Sequence, residues 1–182
     1  MRLATRPLSR LARNRRLRII FLTAAMTFAG CVASAGATEA QQLTQRRAAE
    51  VNHAVRAMMK TVAHDVTQDG PLAWLKYFDM GPTFFMAVNG QMAFTNAAAA
   101  QDGTRKFAQT TRHIELAWGD DLRVDPLTAD LAMVASSWHE TIIDNAGHKT
   151  DGAGYFSGLV ENRDGHWQFR DAHWSSPAPT CP

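Results

Sequence analysis

The sequence predicts an α+β domain in which helices pack on one face of a curved antiparallel sheet. The main observation is a change of hydrophobic period: apolar residues recur at steps of three and four in the first part of the chain and alternate from His113 onward. A second observation is the order of the predicted elements, in which helices and one short hairpin precede the long strands. Such an order indicates an α+β architecture, because each layer needs the other to cover its apolar face.

The first and longest predicted helix spans Thr38 to Thr67. Thr38 and Gln41 match a capping box, in which the two side chains bond free backbone N–H groups at the helix start. The apolar residues of this helix recur at helical steps, which places them on one stripe facing the core: Val51, Val55, Met58, Val62 and Val66.

A second helix and a hairpin are predicted next. We expect Asp69 to cap a short helix that is rich in aromatic residues and ends near Phe78. Asn89-Gly90 is the strongest two-residue hairpin signal, and it joins strands over 84–88 and 91–94.

The remaining elements are one helix and the strands of the sheet. Asn96 is the predicted cap of the third helix, which runs from Ala97 to about Gln109. The long strands are predicted over 113–118, 122–126, 131–143, 152–162 and 166–175.

Residues 1–37 form a predicted secretory signal. They contain seven Arg and no Lys, Asp or Glu, followed by an apolar core from Ile19 to Gly30 and then small residues. The core is too short for a membrane-spanning helix, which needs ~20 residues. Two processing routes stay open: cleavage after Ala37, or a lipobox-like Phe28-Ala29-Gly30-Cys31 in which Cys31 receives a lipid anchor. We therefore expect an exported protein, either periplasmic or anchored to the envelope as a lipoprotein, with no other membrane contact.

The charge of the chain changes once this signal is set aside. The whole chain has a formal charge of +2 and a pI of about 8.7. Removing the seven Arg of the signal from the 19 Lys+Arg leaves 12 against 17 Asp+Glu, a charge of −5. An acidic domain lacks the clustered cations that bind nucleic acid, so no nucleic-acid partner is predicted. The His and Cys spacings match no zinc site and no Gly-rich phosphate loop precedes a helix, so neither a metal nor a cofactor is predicted.

Three motifs of the second half carry a resemblance to a known family. Asp130-Leu131-Ala132-Met133-Val134 resembles the D-x-A-x-V strand of the SnoaL-like and nuclear transport factor 2-like superfamily. Residues 155–169 resemble its penultimate hairpin, and Ala172-His173-Trp174-Ser175 resembles its closing H-x-S strand. The resemblance covers residues 38–176, and the Pro-rich tail, 177–182, follows. It implies a cone-shaped, curved antiparallel sheet wrapped around the long N-terminal helix, with an apolar pocket at the open end.

The resemblance leaves the function open. Members include ketosteroid isomerase-like enzymes, polyketide cyclases, dehydratases and non-catalytic binding or assembly domains, and a shared fold does not decide among them. The main prediction is an exported domain that binds a small apolar molecule in the cone pocket. The alternatives are an isomerase-, cyclase- or dehydratase-type enzyme and a non-catalytic dimeric interaction module. A homodimer is expected, and Trp138 and Trp174 are candidates for the sheet face that would pair.

The last strand supplies most of the candidate catalytic residues. Alternation places Trp167, Phe169, Asp171 and His173 on one face, which is the pocket face if the aromatic residues mark it. Asp171 would act as general acid or base, because a carboxyl group in an apolar cone has a raised pKa. His173 would orient a carbonyl or relay a proton, and Tyr155 would donate a hydrogen bond to an oxyanion. The alternative is that Asp171 and His173 hold helix ends or a dimer interface.

The predicted ligand-binding residues are mainly aromatic. They are Trp74, Tyr77 and Phe78 of the second helix, His139 of the predicted strand over 131–143, and Trp167 and Phe169 of the last strand.

Overall fold

The computed structural model describes residues 43–177. The elements in chain order are helix α1 (Gln45–Asp69), a 3-10 helix (Pro71–Lys76), β1 (Phe85–Val88), β2 (Gln91–Phe94), α2 (Ala97–Thr110), β3 (Thr111–Trp118), β4 (Arg123–Pro126), β5 (Leu131–Asp144), β6 (Lys149–Arg163) and β7 (His166–Ser175). This order confirms the predicted α+β class. The predicted signal, Cys31, the Thr38 capping box and the end of the tail lie outside the described residues. Within residues 43–177, no helix combines the length and apolarity needed to cross a membrane.

Helix α1 begins later than the sequence predicted. Thr44 has an extended backbone, with φ −64° and ψ 149°, and its side chain accepts a hydrogen bond from the Arg47 N–H. Thr44 is therefore the N-cap, and a helix running continuously from Thr38 is wrong. The predicted apolar stripe is confirmed, because all five of its residues are buried.

The second helix is shorter and tighter than predicted. It is a single 3-10 segment, and the position before it is Gly70, with φ 79°. Asp69 is the last residue of α1 and does not cap the next helix; its carboxylate accepts a hydrogen bond from Lys76 Nζ at 2.8 Å. The chain needs a left-handed residue between the two helices, and glycine adopts that conformation without a Cβ clash.

The strands form one curved sheet in the order β2-β1-β7-β6-β5-β3, and β4 pairs with the other end of β5. All neighbouring strands are antiparallel except β1 and β7, which are parallel. A fully antiparallel sheet was therefore wrong. The physical reason is that β1 and β7 are distant in sequence, so no tight turn imposes an antiparallel arrangement on them.

Two tight turns fix the hairpins. Asn89 and Gly90 have φ 49° and 78°, and Asp164 and Gly165 have φ 54° and 86°. Two consecutive positive φ values define the turn that matches the natural twist of two antiparallel strands. The predicted Asn-Gly hairpin is confirmed.

The core lies between α1 and the concave face of the sheet. On β5 the side chains of Ala132, Val134, Ser136 and Trp138 are buried, whereas the alternate side chains lie on the outer face. The Trp118 Nε1–H at the end of β3 donates to the Met59 carbonyl of α1 at 2.8 Å. This bond joins the helix to the sheet beside the open end of the fold.

Candidate functional site

A cavity of about 530 Å³ lies between α2, the 3-10 helix and the concave face of the sheet. Small-molecule sites typically have volumes of roughly 300–1,000 Å³ and mostly apolar walls. The walls here are largely apolar and aromatic. They are Trp74, Phe78, Met86, Val88, Ala93, Phe94, Gly103, Thr104, Phe107, Ile114, Trp138, Glu140, Ile142, Trp174 and Ser176.

Two glycines of β6 leave room for two of the side chains that line this cavity. Gly154 lies opposite Trp138 and Gly152 lies opposite Glu140 in the β5–β6 ladder. A Cβ at Gly152 would lie 3.2 Å from Trp138 and from the Glu140 Cγ, and a Cβ at Gly154 would overlap the Ser175 carbonyl oxygen. The two large side chains of β5 can therefore extend across β6, because β6 has no side chains at these positions.

Trp174 is the centre of an aromatic cluster at the cavity wall. Its ring is edge-on to Trp74 at 5.7 Å and to Trp138 at 5.2 Å, and it packs on Phe156 at 4.8 Å. It also stacks on Trp118 at 5.7 Å. Contacts of this kind fix the ring orientations, so the cavity wall is largely preformed.

Glu140 is the ionisable residue among the cavity-lining side chains. Burial raises the pKa of its carboxyl group above the ordinary value of 4.5. Within residues 43–177, no hydrogen bond or ion pair to this carboxyl is found. A charged carboxylate without a partner in an apolar environment is unfavourable, so this group is available to a ligand or a proton.

Trp138 adds a second unpaired polar group beside Glu140. Its side chain is buried, and its indole N–H has no hydrogen-bond partner among the described residues. Buried donors are usually paired, and unpaired ones are typical of functional sites or sites completed by another molecule.

A second hollow of about 500 Å³ adjoins Glu140 and is more polar. Besides Glu140, its lining includes Thr67, Glu115, His139 and Asp151. Glu140 lines both spaces and thus lies at the boundary between the aromatic cavity and a polar surface.

The predicted alignment of Asp171 with Phe169 is wrong because β7 contains a β-bulge. Leu159 pairs with Asp171 and the next residue of β6, Val160, pairs with Phe169, so Arg170 is an extra residue on β7. An extra residue reverses the alternation of side chains beyond it. Phe169, Ala172 and Trp174 consequently face inward, whereas Asp171 and His173 lie on the outer face.

The three candidate catalytic residues lie on the outer face of the sheet, away from the cavity. His173 pairs with Ser157 and is exposed, and Tyr155 is 46% exposed two residues before Ser157. The Asp171 carboxylate accepts a hydrogen bond from the Leu159 N–H at 3.1 Å, and burial raises its pKa. The cavity gains no polar group from these three residues.

The predicted dimer face is also wrong, because of the bulge for Trp174 and because of the alternation of β5 for Trp138. Trp174 lines the cavity, and Trp138 is 4% exposed on the same concave face, so neither is available to pair with another sheet. The exposed apolar residues of the outer face instead include Phe85, Met133 and Tyr155.

Of the predicted ligand-binding residues, only Trp74 and Phe78 line the cavity. The Tyr77 hydroxyl donates to Asp65 Oδ2 at 2.8 Å and so ties the 3-10 helix to α1; burial raises the Tyr77 pKa to about 12. Phe169 is fully buried and Trp167 packs at the edge of the core, while His139 lies in the second hollow.

Comparisons with known proteins identify the fold. A candidate scytalone dehydratase from Novosphingobium aromaticivorans matches with a TM-score of 0.63 and 15% identity over 74% of this chain and 89% of its own. A nuclear transport factor 2-like superfamily protein from Salmonella enterica serovar Typhimurium matches with a TM-score of 0.57 and 14% identity, over 75% and 94%. The hexachlorocyclohexane dehydrochlorinase LinA-type3 from Novosphingobium barchaimii matches with a TM-score of 0.58 and 12% identity, over 74% and 92%. The chain has the nuclear transport factor 2-like fold. No protein-family profile matches the sequence, and no curated protein matches it.

Structural similarity at identities this low shows the nuclear transport factor 2-like fold alone, so any chemistry has to be argued from the site itself. Within residues 43–177, no cluster of three or more His, Cys, Asp or Glu residues has the geometry of a metal site.

Glu140 is the ionisable residue of the cavity lining, and it was not predicted from the sequence. The signal was present in the alternation of β5, where Ala132, Val134, Ser136, Trp138 and Glu140 occupy one face. A carboxylate in the same row as a buried Trp is the pattern that marks an acidic group in an apolar pocket.

Proposed function

We propose that this protein is an exported binding protein with the nuclear transport factor 2-like fold that encloses a small apolar molecule in its aromatic cavity. The observation that carries the proposal is the 530 Å³ cavity, which has aromatic walls and the Glu140 side chain in its lining. Apolar walls supply most of the binding free energy, and a few polar groups set the orientation of the ligand. The name of one structural neighbour contains a small chlorinated substrate, hexachlorocyclohexane, which is consistent with a cavity of this kind.

A fluorescent probe tests the proposal directly. N-phenyl-1-naphthylamine is neutral and apolar, and its emission rises when it enters an apolar cavity. The variant Ile142→Trp adds a large side chain to the cavity wall, and the matched control Ile143→Trp places the same side chain on the opposite face of β5. We expect Ile142→Trp to weaken probe binding at least about tenfold and Ile143→Trp to leave it unchanged. Equal binding by both variants, or no binding by the unaltered protein, would contradict the cavity function.

Export is the second part of the proposal, and it rests on the basic start, apolar core and small-residue exit of residues 1–37. Expression of the full chain in a bacterium followed by fractionation should place the protein outside the cytoplasm. Intact-mass measurement then distinguishes a free Thr38 terminus from a lipid-modified Cys31. A cytoplasmic protein that retains Met1 would contradict export.

Catalysis is a second candidate function, and Glu140 is the residue that favours it. A carboxyl group with a raised pKa inside an apolar cavity suits a general acid or base. Native mass spectrometry of the purified protein can identify a retained molecule, and that molecule can then be incubated with the protein and with Glu140→Gln. Conversion by the unaltered protein alone supports an enzyme, whereas recovery of the molecule unchanged from both supports a binding protein.

A homodimer through the outer face of the sheet is proposed as the assembly. Phe85, Met133 and Tyr155 expose apolar surface on β1, β5 and β6, and a two-fold axis would cover the same patch on both copies. Tyr155→Lys together with Met133→Lys should convert a dimer to a monomer in sedimentation velocity. A monomeric unaltered protein at micromolar concentration would contradict the dimer.

A further inference from the structure

The ionisable side chain that lines the cavity is acidic. Glu140 lines it, whereas no Lys, Arg or His among residues 43–177 does. Of the acidic side chains that line the adjoining hollow, Asp151 is paired with Lys149 at 3.0 Å and Glu115 contacts His113 at 3.2 Å, so the negative charge at the cavity comes from Glu140. An anionic ligand would therefore be repelled, and a neutral ligand would leave the Glu140 carboxylate without a counter-charge.

The aromatic rings that line the cavity with Glu140 are suited to a cation. The electron-rich faces of Trp, Phe and Tyr attract positive charge, and Trp does so most strongly. Three of the lining residues are Trp, and three more are Phe: Trp74, Trp138, Trp174, Phe78, Phe94 and Phe107. The edge-on contacts of Trp174 with Trp74 and Trp138 turn these rings through 88° and 72° relative to it, so the wall presents ring faces in different directions.

Because Glu140 lies next to Trp138, the acidic side chain and the aromatic rings belong to one site. Both residues lie on the inner face of β5, two positions apart, and both approach Gly152 within 3.2 Å of where its Cβ would be. A charged nitrogen placed beside Glu140 would thus lie next to an indole ring.

We propose that the ligand of the cavity is an organic cation, an amine or quaternary ammonium with an apolar body, whose charged nitrogen lies between Glu140 and the tryptophans. This inference rests on the proposed function, since it requires that a small molecule occupies the cavity. The cation supplies the counter-charge that the described part of the chain does not place at the cavity, and its apolar body fills the aromatic space.

A pair of probes of the same shape tests the charge separately from the cavity. Benzyltrimethylammonium carries a quaternary nitrogen, and neopentylbenzene has a carbon atom in its place. Quenching of tryptophan fluorescence by each probe is titrated for the unaltered protein, for Glu140→Gln and for the control Asp151→Asn, all purified after expression of the full 182-residue chain. Asp151 is a carboxylate of the adjoining hollow that does not line the cavity, so it controls for a general loss of negative charge.

We expect the cation to bind at least about tenfold more tightly than its carbon isostere. Glu140→Gln should remove most of this preference without weakening the binding of neopentylbenzene, and Asp151→Asn should retain it. Binding of both probes with equal affinity, or a preference unchanged in Glu140→Gln, would overturn the cation inference and leave the cavity function standing. Failure of both probes and of N-phenyl-1-naphthylamine to bind would overturn both.

Discussion

The Asp171 carboxylate accepts a hydrogen bond from the backbone N–H of Leu159, at 3.1 Å, at the point where the β-bulge interrupts the β6–β7 ladder. A bulge displaces one strand of a ladder and leaves backbone groups without their regular partners. The Asp171 side chain supplies such a partner from the outer face. Its geometry therefore supports a structural role at the bulge.

Asp171→Ala should destabilise the protein by about 1–3 kcal/mol, because it leaves the Leu159 N–H without its acceptor in a part-buried position. Urea denaturation followed by tryptophan fluorescence measures this loss. Asp171→Asn keeps an acceptor oxygen and should lose clearly less. Probe binding in the cavity should be the same in both variants. A binding defect in Asp171→Asn would show that Asp171 contributes to the binding site.

The bulge also explains which parts of the site could be predicted from sequence. The stripe of α1, the Asn-Gly turn and the alternation of β5 follow from the local sequence, and the structure agrees with them. The facing of β7 depends on one extra residue, Arg170, and nothing in the local sequence distinguishes a bulged strand from a regular one. The bulge at Arg170 was not predicted, and this one omission placed three later residues on the wrong face: Asp171, His173 and Trp174.

Glu140 presents a different case, because the sequence shows which face of β5 it lies on but does not show which residues surround it. Its significance depends on Gly152, which lies opposite it in a strand joined by a separate turn, and on α2 and the 3-10 helix, which close the cavity. These contacts are long-range, so sequence periodicity alone gives the row on which Glu140 lies and not the cavity it enters.

Glu140→Gln should be more stable than the unaltered protein near neutral pH. Burial raises the pKa of Glu140, so the folded state binds its proton more readily than the unfolded chain does. The stability contributed by this group is present below its unfolded pKa and is lost as pH rises through the raised folded pKa. Gln remains neutral throughout, so its advantage should grow from about pH 4 to pH 7, as measured by urea denaturation across that range.

The control for this pH dependence is Asp151→Asn, for which the sign is opposite. The Thr141 hydroxyl and Lys149 lower the pKa of Asp151, so its contribution to stability is present at neutral pH and is lost on acidification. Asp151→Asn should thus lose relative stability as pH rises. If Glu140→Gln showed the same trend as Asp151→Asn, the Glu140 carboxyl would not be destabilised by burial.

Gly103→Ala should reduce the cavity more than it changes stability. A Cβ at Gly103 of α2 would overlap the Phe94 ring, and both residues line the cavity. Alanine favours the helix by roughly 1 kcal/mol over glycine, which offsets part of the cost of moving the ring. We expect N-phenyl-1-naphthylamine affinity to fall several-fold while the urea midpoint changes little. An unchanged affinity would contradict the prediction, because it would mean that Phe94 moves away from the cavity. The control for helix propensity is Ala98→Gly, on the exposed side of the same helix.

Gly154→Ala and Gly152→Ala should separate the two functions of the glycine pair on β6. A Cβ at Gly154 would overlap the Ser175 carbonyl oxygen, which belongs to the backbone of β7 and cannot move without breaking the β6–β7 pairing. A Cβ at Gly152 would meet Glu140 and Trp138 at 3.2 Å, and the Glu140 side chain can move by the small distance required. Gly154→Ala is therefore expected to cost about 3 kcal/mol or more in urea denaturation, and Gly152→Ala within about 1 kcal/mol. Gly152→Ala should nevertheless weaken benzyltrimethylammonium binding, because it displaces the Glu140 carboxylate from the Trp138 indole. Equal losses of stability in Gly152→Ala and Gly154→Ala would contradict the different roles assigned to the two glycines.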